Sequence, residues 1–141
     1  MKIGKKIAGQ LSGGDILCLY GDLGAGKTTL VKGIAAGLGI KKTITSPTFT
    51  LMNVYPVKLL AKTSTPLARG FNGAKLVHID TYRLKDEQEL VEIGAEDYLG
   101  APDSICVIEW PEKIKKLLKN KKIVKVTMEH NGKTERKITI L

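Results

Sequence analysis

Residues 21–29 read GDLGAGKTT, with glycines at 21, 24 and 26 followed by Lys27, Thr28 and Thr29. The stretch Gly21-Asp22-Leu23-Gly24-Ala25-Gly26-Lys27-Thr28 fits the pattern G-x-x-x-x-G-K-[ST], and each residue type has a chemical reason. Glycines let consecutive backbone N–H groups turn inward and cradle phosphate oxygens where a Cβ would obstruct them. A lysine at this place reaches the β and γ phosphates, and the hydroxyl that follows takes a place on Mg²⁺. A helix opening directly after the loop adds the positive end of its dipole. The chemistry on offer is nucleotide binding.

A site of this kind needs a carboxylate near the metal, usually where a neighbouring strand ends. Two segments provide one: Leu76-Val-His-Ile-Asp80 and Ile105-Cys-Val-Ile-Glu109, each an apolar run ending in a single acid. Taken alone, either acid is equally at home capping a helix or facing solvent. Together, behind this loop, they make at least one a metal partner. Ser46-Pro-Thr48 stands where P-loop proteins place a switch hydroxyl near the γ-phosphate, although Ser-Pro-Thr is also an ordinary turn. Trp110, the only tryptophan, reads as a core anchor or an exposed contact. The guanine-binding tetrad Asn-Lys-x-Asp has its nearest counterpart in Asn120-Lys-Lys-Ile123, which lacks the aspartate, so ATP is favoured over GTP.

These residues need elements to hold them. DILCLYG (15–21) is a buried strand running into the loop, and Leu30, Ile34 and Leu38 at i, i+4, i+8 make the next segment a helix with a stop at Gly37 and Gly39. An N-terminal amphipathic helix is expected from Ile3, Ile7 and Leu11. TFTLMNVY (48–55) reads as a strand and KLVHID (75–80) as another. Asp86 and Glu89 have capping-box spacing before a helix expected to bury Leu90, Ile93 and Tyr98. ICVIEW (105–110) is a buried strand, Pro111 suits the first turn of the helix PEKIKKLLK, and VKVTMEH and ERKITIL close the chain as a hairpin around NGKT. Residues 56–74, with two prolines and two glycines, have no clear period and read as a surface insertion. Alternating strands and helices followed by a hairpin predict a three-layer α/β fold with a mixed parallel and antiparallel sheet.

Composition bounds the rest. At 141 residues the chain suits one P-loop domain, and no apolar run approaches the roughly 18 residues of a membrane span. The N-terminus is no signal peptide, so a cytoplasmic location and no membrane partner are expected. Cys18 and Cys106 each lie inside an apolar run and read as core residues, and His78 and His130 form no ligand pattern. The net charge of +9 favours acidic partners, nucleotide or RNA among them, yet lysine runs are commonly just solvated faces. Only Arg69, Arg83 and Arg136 could serve as a charge-stabilising arginine.

GDLGAGKTT (21–29), SPTFTL (46–51), HIDTYRL (78–84) and IEWPEK (108–113) occur in this order, and the combination closely resembles the TsaE (YjeE) family of P-loop ATPases in bacterial tRNA threonylcarbamoyladenosine biosynthesis. The resemblance runs from Ile3 to Leu141. It implies a weak Mg²⁺-dependent ATPase that acts with the TsaD–TsaB pair, which modifies adenosine 37 of tRNA, and that meets tRNA indirectly or weakly. It implies phosphate contacts from Asp22, Gly24, Ala25, Gly26, Lys27, Thr28 and Thr29, and Mg²⁺ held by Thr28 and Glu109. Asp80 is implied as the second acid, near the metal and orienting or activating water. Ser46 and Thr48 would form the switch, and Trp110 would take part in nucleotide handling or coupling. Catalysis would then fall to Lys27, Asp80 and Thr48. Two departures accompany the match. Family members begin with a further strand and a Thr-containing segment that helps enclose adenine, whereas this chain starts at what reads as the following helix. Its adenine site is therefore expected to be incomplete or completed otherwise. The 56–74 connection is also longer than usual. A small-molecule kinase and a nucleotide-gated module without hydrolysis are the competing readings, the first disfavoured by so few arginines.

Overall fold

The strand that feeds the glycine-rich loop lies inside a six-stranded sheet of order β2-β3-β4-β1-β5-β6. The computed structural model describes residues 2–22, 24, 26–47, 49–57, 74–132 and 135–141. Its elements are α1 (Lys2–Ala8), β1 (Ile16–Tyr20), α2 (Lys27–Gly37), β2 (Met52–Pro56), β3 (Lys75–Asp80), α3 (Gln88–Glu92), β4 (Ser104–Glu109), α4 (Lys115–Leu118), β5 (Val124–Asn131) and β6 (Glu135–Ile140). Short 3-10 turns occupy Ala95–Asp97 and Pro111–Ile114. β3, β4, β1 and β5 run parallel, and β2 and β6 pair antiparallel at the two edges. This is the mixed α/β sheet that the order of elements predicts.

Covered strands read as continuous apolar runs because both faces are buried, and β1 is such a strand. Leu17 and Leu19 join Leu76, Ile105, Val107 and Val126 on the face that packs against α1 and α2. Ile16 and Cys18 join Val77, Ile79, Cys106 and Ile108 on the other, beneath Leu90, Leu99 and Ile114. The same two-residue period has a consequence for the acids. Asp80 has the parity of Leu76, and Glu109 that of Ile105 and Val107, so both carboxylates stand on the α2 side of the sheet.

Leu30, Ile34 and Leu38 are all buried, as their spacing predicts. The N-terminal helix forms with Ile7 buried but ends at Ala8, so that Leu11 is buried beyond it, and Ile3 is 47% exposed. The reason is a close helix crossing at glycine: a Cβ on Gly4 would sit 2.7 Å from Gly33 Cα. It is Gly4 that turns toward α2, leaving Ile3 outside.

Other elements are shorter than expected. The strand expected over 48–55 begins only at Met52, because Leu51 adopts φ 66°. Its N–H donates to Pro47 O at 2.8 Å and its carbonyl accepts from Asp80 N–H at 3.0 Å, which fixes a turn there. α3 ends after one turn and a half because Gly94, at φ 84°, redirects the chain. Leu90 is buried, whereas Ile93 is 43% exposed and Tyr98 half-buried beyond a separate 3-10 turn. Asp86 does serve the start of α3, its Oδ1 accepting from Gln88 N–H at 2.8 Å. PEKIKKLLK is likewise divided into a 3-10 turn opened by Pro111 and a single helical turn.

Within the 56–74 segment, residues 58–73 lie outside the described residues. At its flanks Val57 and Ala74 are buried, and Val57 N–H donates to Ala74 O at 2.8 Å, continuing the β2–β3 pairing. Cys18 and Cys106 are free and buried. Among the described residues no helix is long and apolar enough to cross a membrane.

Candidate nucleotide site

The loop between β1 and α2 takes the backbone angles that only glycine adopts freely. Gly24 has φ 81° and Gly26 φ 90°. A Cβ on Gly24 would meet nothing within 4 Å, and one on Gly26 would meet Met128 Cε at 3.7 Å, so the angle and not the space requires glycine. No side chain caps the first turn of α2, whose Ncap is Gly26. Its leading N–H groups therefore suit an anion.

Lys27 opens α2 and is buried at 5% exposure. Its Nζ donates to Gly21 O at 2.5 Å and lies 3.5 Å from the centre of the Trp110 ring. Burial lowers its pKa from the usual lysine value, while Glu109, Glu112, Asp80 and Asp22 pull the other way. A largely buried ammonium held against a carbonyl is a strong docking charge for a phosphate that displaces the carbonyl.

Asp80 and Glu109 are register partners at the ends of β3 and β4, and Glu109 also pairs with Leu19 just before the loop. Both acids are buried, at 7% and 3% exposure. Thr28 Oγ1 donates toward Glu109 and lies 3.3 Å from Oε1 and from Oε2. Ser46 Oγ donates to Asp80 Oδ2 at 3.3 Å, and Tyr82 N–H to Asp80 Oδ1 at 3.0 Å. His78, two residues before Asp80, brings Nε2 to 2.6 Å from Glu109 Oε2. Thr81 Oγ1 donates to Glu109 O at 3.1 Å and also to Trp110 O.

Trp110 takes φ 60° and ψ 50°, left-handed angles uncommon for a bulky residue. The pair of Thr81 bonds and Pro111 behind it hold the turn in that form. The ring, half-buried, is neither core anchor nor free surface: it lies between Lys27 and the Tyr82 ring, 5.2 Å away. Arg83 stands over the exposed Phe49 ring at 5.0 Å, and among the described residues no carboxylate lies within ion-pair distance of it. Gly24, Gly26, Lys27, Thr28, Thr29, Ser46, Asp80, Tyr82, Arg83, Glu109 and Trp110 enclose a cleft of about 390 Å³.

Sequence-derived residues thus converge, with exceptions. Ala25 and Thr48 lie outside the described residues, and Asp22 is exposed and does not line the cleft. Tyr82, Thr81 and His78 carry no site pattern of their own in the sequence, yet each touches a candidate residue. For His78 the strand period shows only that it shares a face with Asp80; its meeting with Glu109 depends on the β3–β4 register.

Thr28, Ser46, Asp80 and Glu109 offer oxygen atoms alone, a set suited to a hard cation such as Mg²⁺. Among the described residues no three or more His, Cys, Asp or Glu side chains converge as a self-sufficient metal site. Phosphate oxygens and water would complete the coordination, as is usual for Mg²⁺.

The chain is similar to known proteins over most of its length. A family model described as threonylcarbamoyl adenosine biosynthesis protein TsaE matches residues 1–138. The chain is 36% identical over 137 residues to the tRNA threonylcarbamoyladenosine biosynthesis protein TsaE of Bacillus subtilis (strain 168), covering 97% of this chain and 75% of that one. It is 39% identical over 114 residues to the protein of the same name from Streptomyces coelicolor, covering 79% of this chain and 66% of that one. The crystal structure of Bacillus subtilis YdiB superposes with a TM-score of 0.71 at 31% identity, over 99% of this chain and 75% of that one.

Proposed function

This chain belongs to the TsaE family, and from that membership and the cleft we propose that it is a slow, Mg²⁺-dependent ATPase serving tRNA threonylcarbamoyladenosine synthesis together with the TsaD–TsaB pair. The family works in that biosynthesis and is of the P-loop nucleotide-binding type. One observation carries the reading of a metal–nucleotide site: the hydroxyl of Thr28, on the loop helix, faces both oxygens of Glu109, which is 81 residues away at the end of the adjacent strand.

The residues divide the work as follows. Loop N–H groups and Lys27 bind the phosphates and stabilise charge that develops on the leaving oxygen. Thr28 and Glu109 would hold Mg²⁺, which when bound neutralises phosphate charge, and Asp80 stands next to them. Asp80 has one oxygen tied to the Tyr82 amide and the other turned toward Ser46. In this reading it orients a water for in-line attack on the γ-phosphorus. The new bond runs from water oxygen to phosphorus, the bond to the ADP oxygen breaks, and the water's proton passes to Asp80 or to the phosphate. Trp110, against Lys27, reports or couples phosphate occupancy to the turn held by Thr81. Ser46 and the Thr48 beyond it serve as the switch.

The test is steady-state ATP hydrolysis by the purified chain, alone and with TsaD–TsaB. Slow turnover alone that rises with the partners is expected. Kinase-like rates without partners, or phosphate delivered to a small acceptor in preference to water, would contradict the reading.

A further inference from the structure

His78 is fully buried within β3, and its Nε2 makes a 2.6 Å contact with Glu109 Oε2, itself buried. Its other ring nitrogen, Nδ1, has no hydrogen-bond partner among the described residues. A carboxylate accepts hydrogen bonds, so the proton of this contact belongs on Nε2. A polar pair enclosed between strands is a poor way to gain stability, since apolar side chains of similar volume usually do as well or better. What the contact does secure is direction. Oε2 is held by His78, and the carboxylate as a whole faces Thr28 Oγ1 at 3.3 Å from either oxygen.

We propose that His78 is a positioning residue: its Nε2–H fixes the Glu109 carboxylate in the orientation that, with Thr28, receives a divalent cation. The inference rests on the reading of Glu109 as a metal ligand. Outer hydrogen-bond partners of metal ligands typically influence affinity by roughly 10- to 100-fold.

The experiment measures Mn²⁺ binding to the full chain in the presence of ADP by electron paramagnetic resonance, for wild type, His78→Leu, His78→Asn and His78→Gln. The glutamine amide reaches the place of Nε2, whereas the shorter asparagine amide stops near Nδ1. Expected is a loss of Mn²⁺ affinity of about tenfold or more for Leu and Asn, with Gln within about threefold of wild type. ADP affinity without metal should be the same in all four. A purely structural role would lower Tm in the variants without this ordering, and wild-type Mn²⁺ affinity in a folded Leu variant overturns the proposal. If the wild type itself gains no ADP-dependent Mn²⁺ affinity, the reading of Glu109 fails and the proposal falls with it. Should the variants not fold, the ¹⁵N spectrum of the wild-type imidazole decides. A proton on Nε2 supports the proposal, and a proton on Nδ1 alone overturns it.

Discussion

Thr28 Oγ1 sits 3.3 Å from each carboxylate oxygen of Glu109, bridging the first turn of α2 and the end of β4. The contact joins the loop that would hold phosphate to the acid that would hold metal. Replacing Glu109 by Gln keeps the shape and removes the charge. ATP turnover should fall by roughly 100-fold or more, as a loss of several kcal/mol of metal-assisted charge stabilisation implies. Nucleotide affinity without Mg²⁺ should hardly change, because loop amides and Lys27 supply it. Parallel turnover and equilibrium-binding measurements check this; unchanged turnover would remove Glu109 from the site.

Trp110 is the only tryptophan, and its ring lies 3.5 Å from Lys27 Nζ. A phosphate that draws Lys27 from the Gly21 carbonyl also draws it from the indole. Adding ATP or ADP should therefore change intrinsic fluorescence in a saturable way. Lys27→Ala should abolish most of the change, and a full response in that variant would show that the indole senses something else.

The α1–α2 crossing makes a stability prediction independent of catalysis. A Cβ on Gly4 would lie 2.7 Å from Gly33 backbone atoms, whereas one on Gly9 would come no closer than 3.5 Å to anything. Gly4→Ala should destabilise by about 1–3 kcal/mol through overpacking, and Gly9→Ala should not. Chemical denaturation of both variants measures the difference.

Much of this site is legible in the sequence. The apolar runs ending in Asp80 and Glu109 mark strands that surface at one end of a sheet, and the glycine pattern marks the loop between them. What stayed hidden depends on pairings remote in sequence. Nothing near His78 reveals that β3 and β4 align so that its ring meets Glu109. Leu51 leaves the strand pattern at φ 66°, its N–H turned back to Pro47 O, so a turn wins there over local β preference. Ile3 matches the helical period and still lies outside, because the helix pair approaches through glycines that carry no hydrophobic signal.

Burial pushes the thiols of both Cys18 and Cys106 up to about 12. At pH 8 the thiolate fraction is then on the order of one in ten thousand, so both should resist a disulfide reagent until the protein unfolds. Linkage follows with a definite sign. The folded values stand above the unfolded one, so the protonated thiols contribute stability that is complete below about pH 8.5 and lost as pH rises toward 12. Thiol titration with and without denaturant, and unfolding curves from pH 8 upward, test both statements. Rapid labelling of the native protein would show that these strands open.

In the proposed function this cleft spends ATP on behalf of tRNA threonylcarbamoyladenosine synthesis. This is tested most directly by following labelled threonine into tRNA through many turnovers of TsaD–TsaB with a supply of threonylcarbamoyl donor. The reaction is run with this protein, without it, and with its Asp80→Ala variant. Sustained incorporation that needs both the protein and ATP, and that fails with Asp80→Ala, is the predicted result. Incorporation that proceeds equally without the protein over many turnovers would contradict the account.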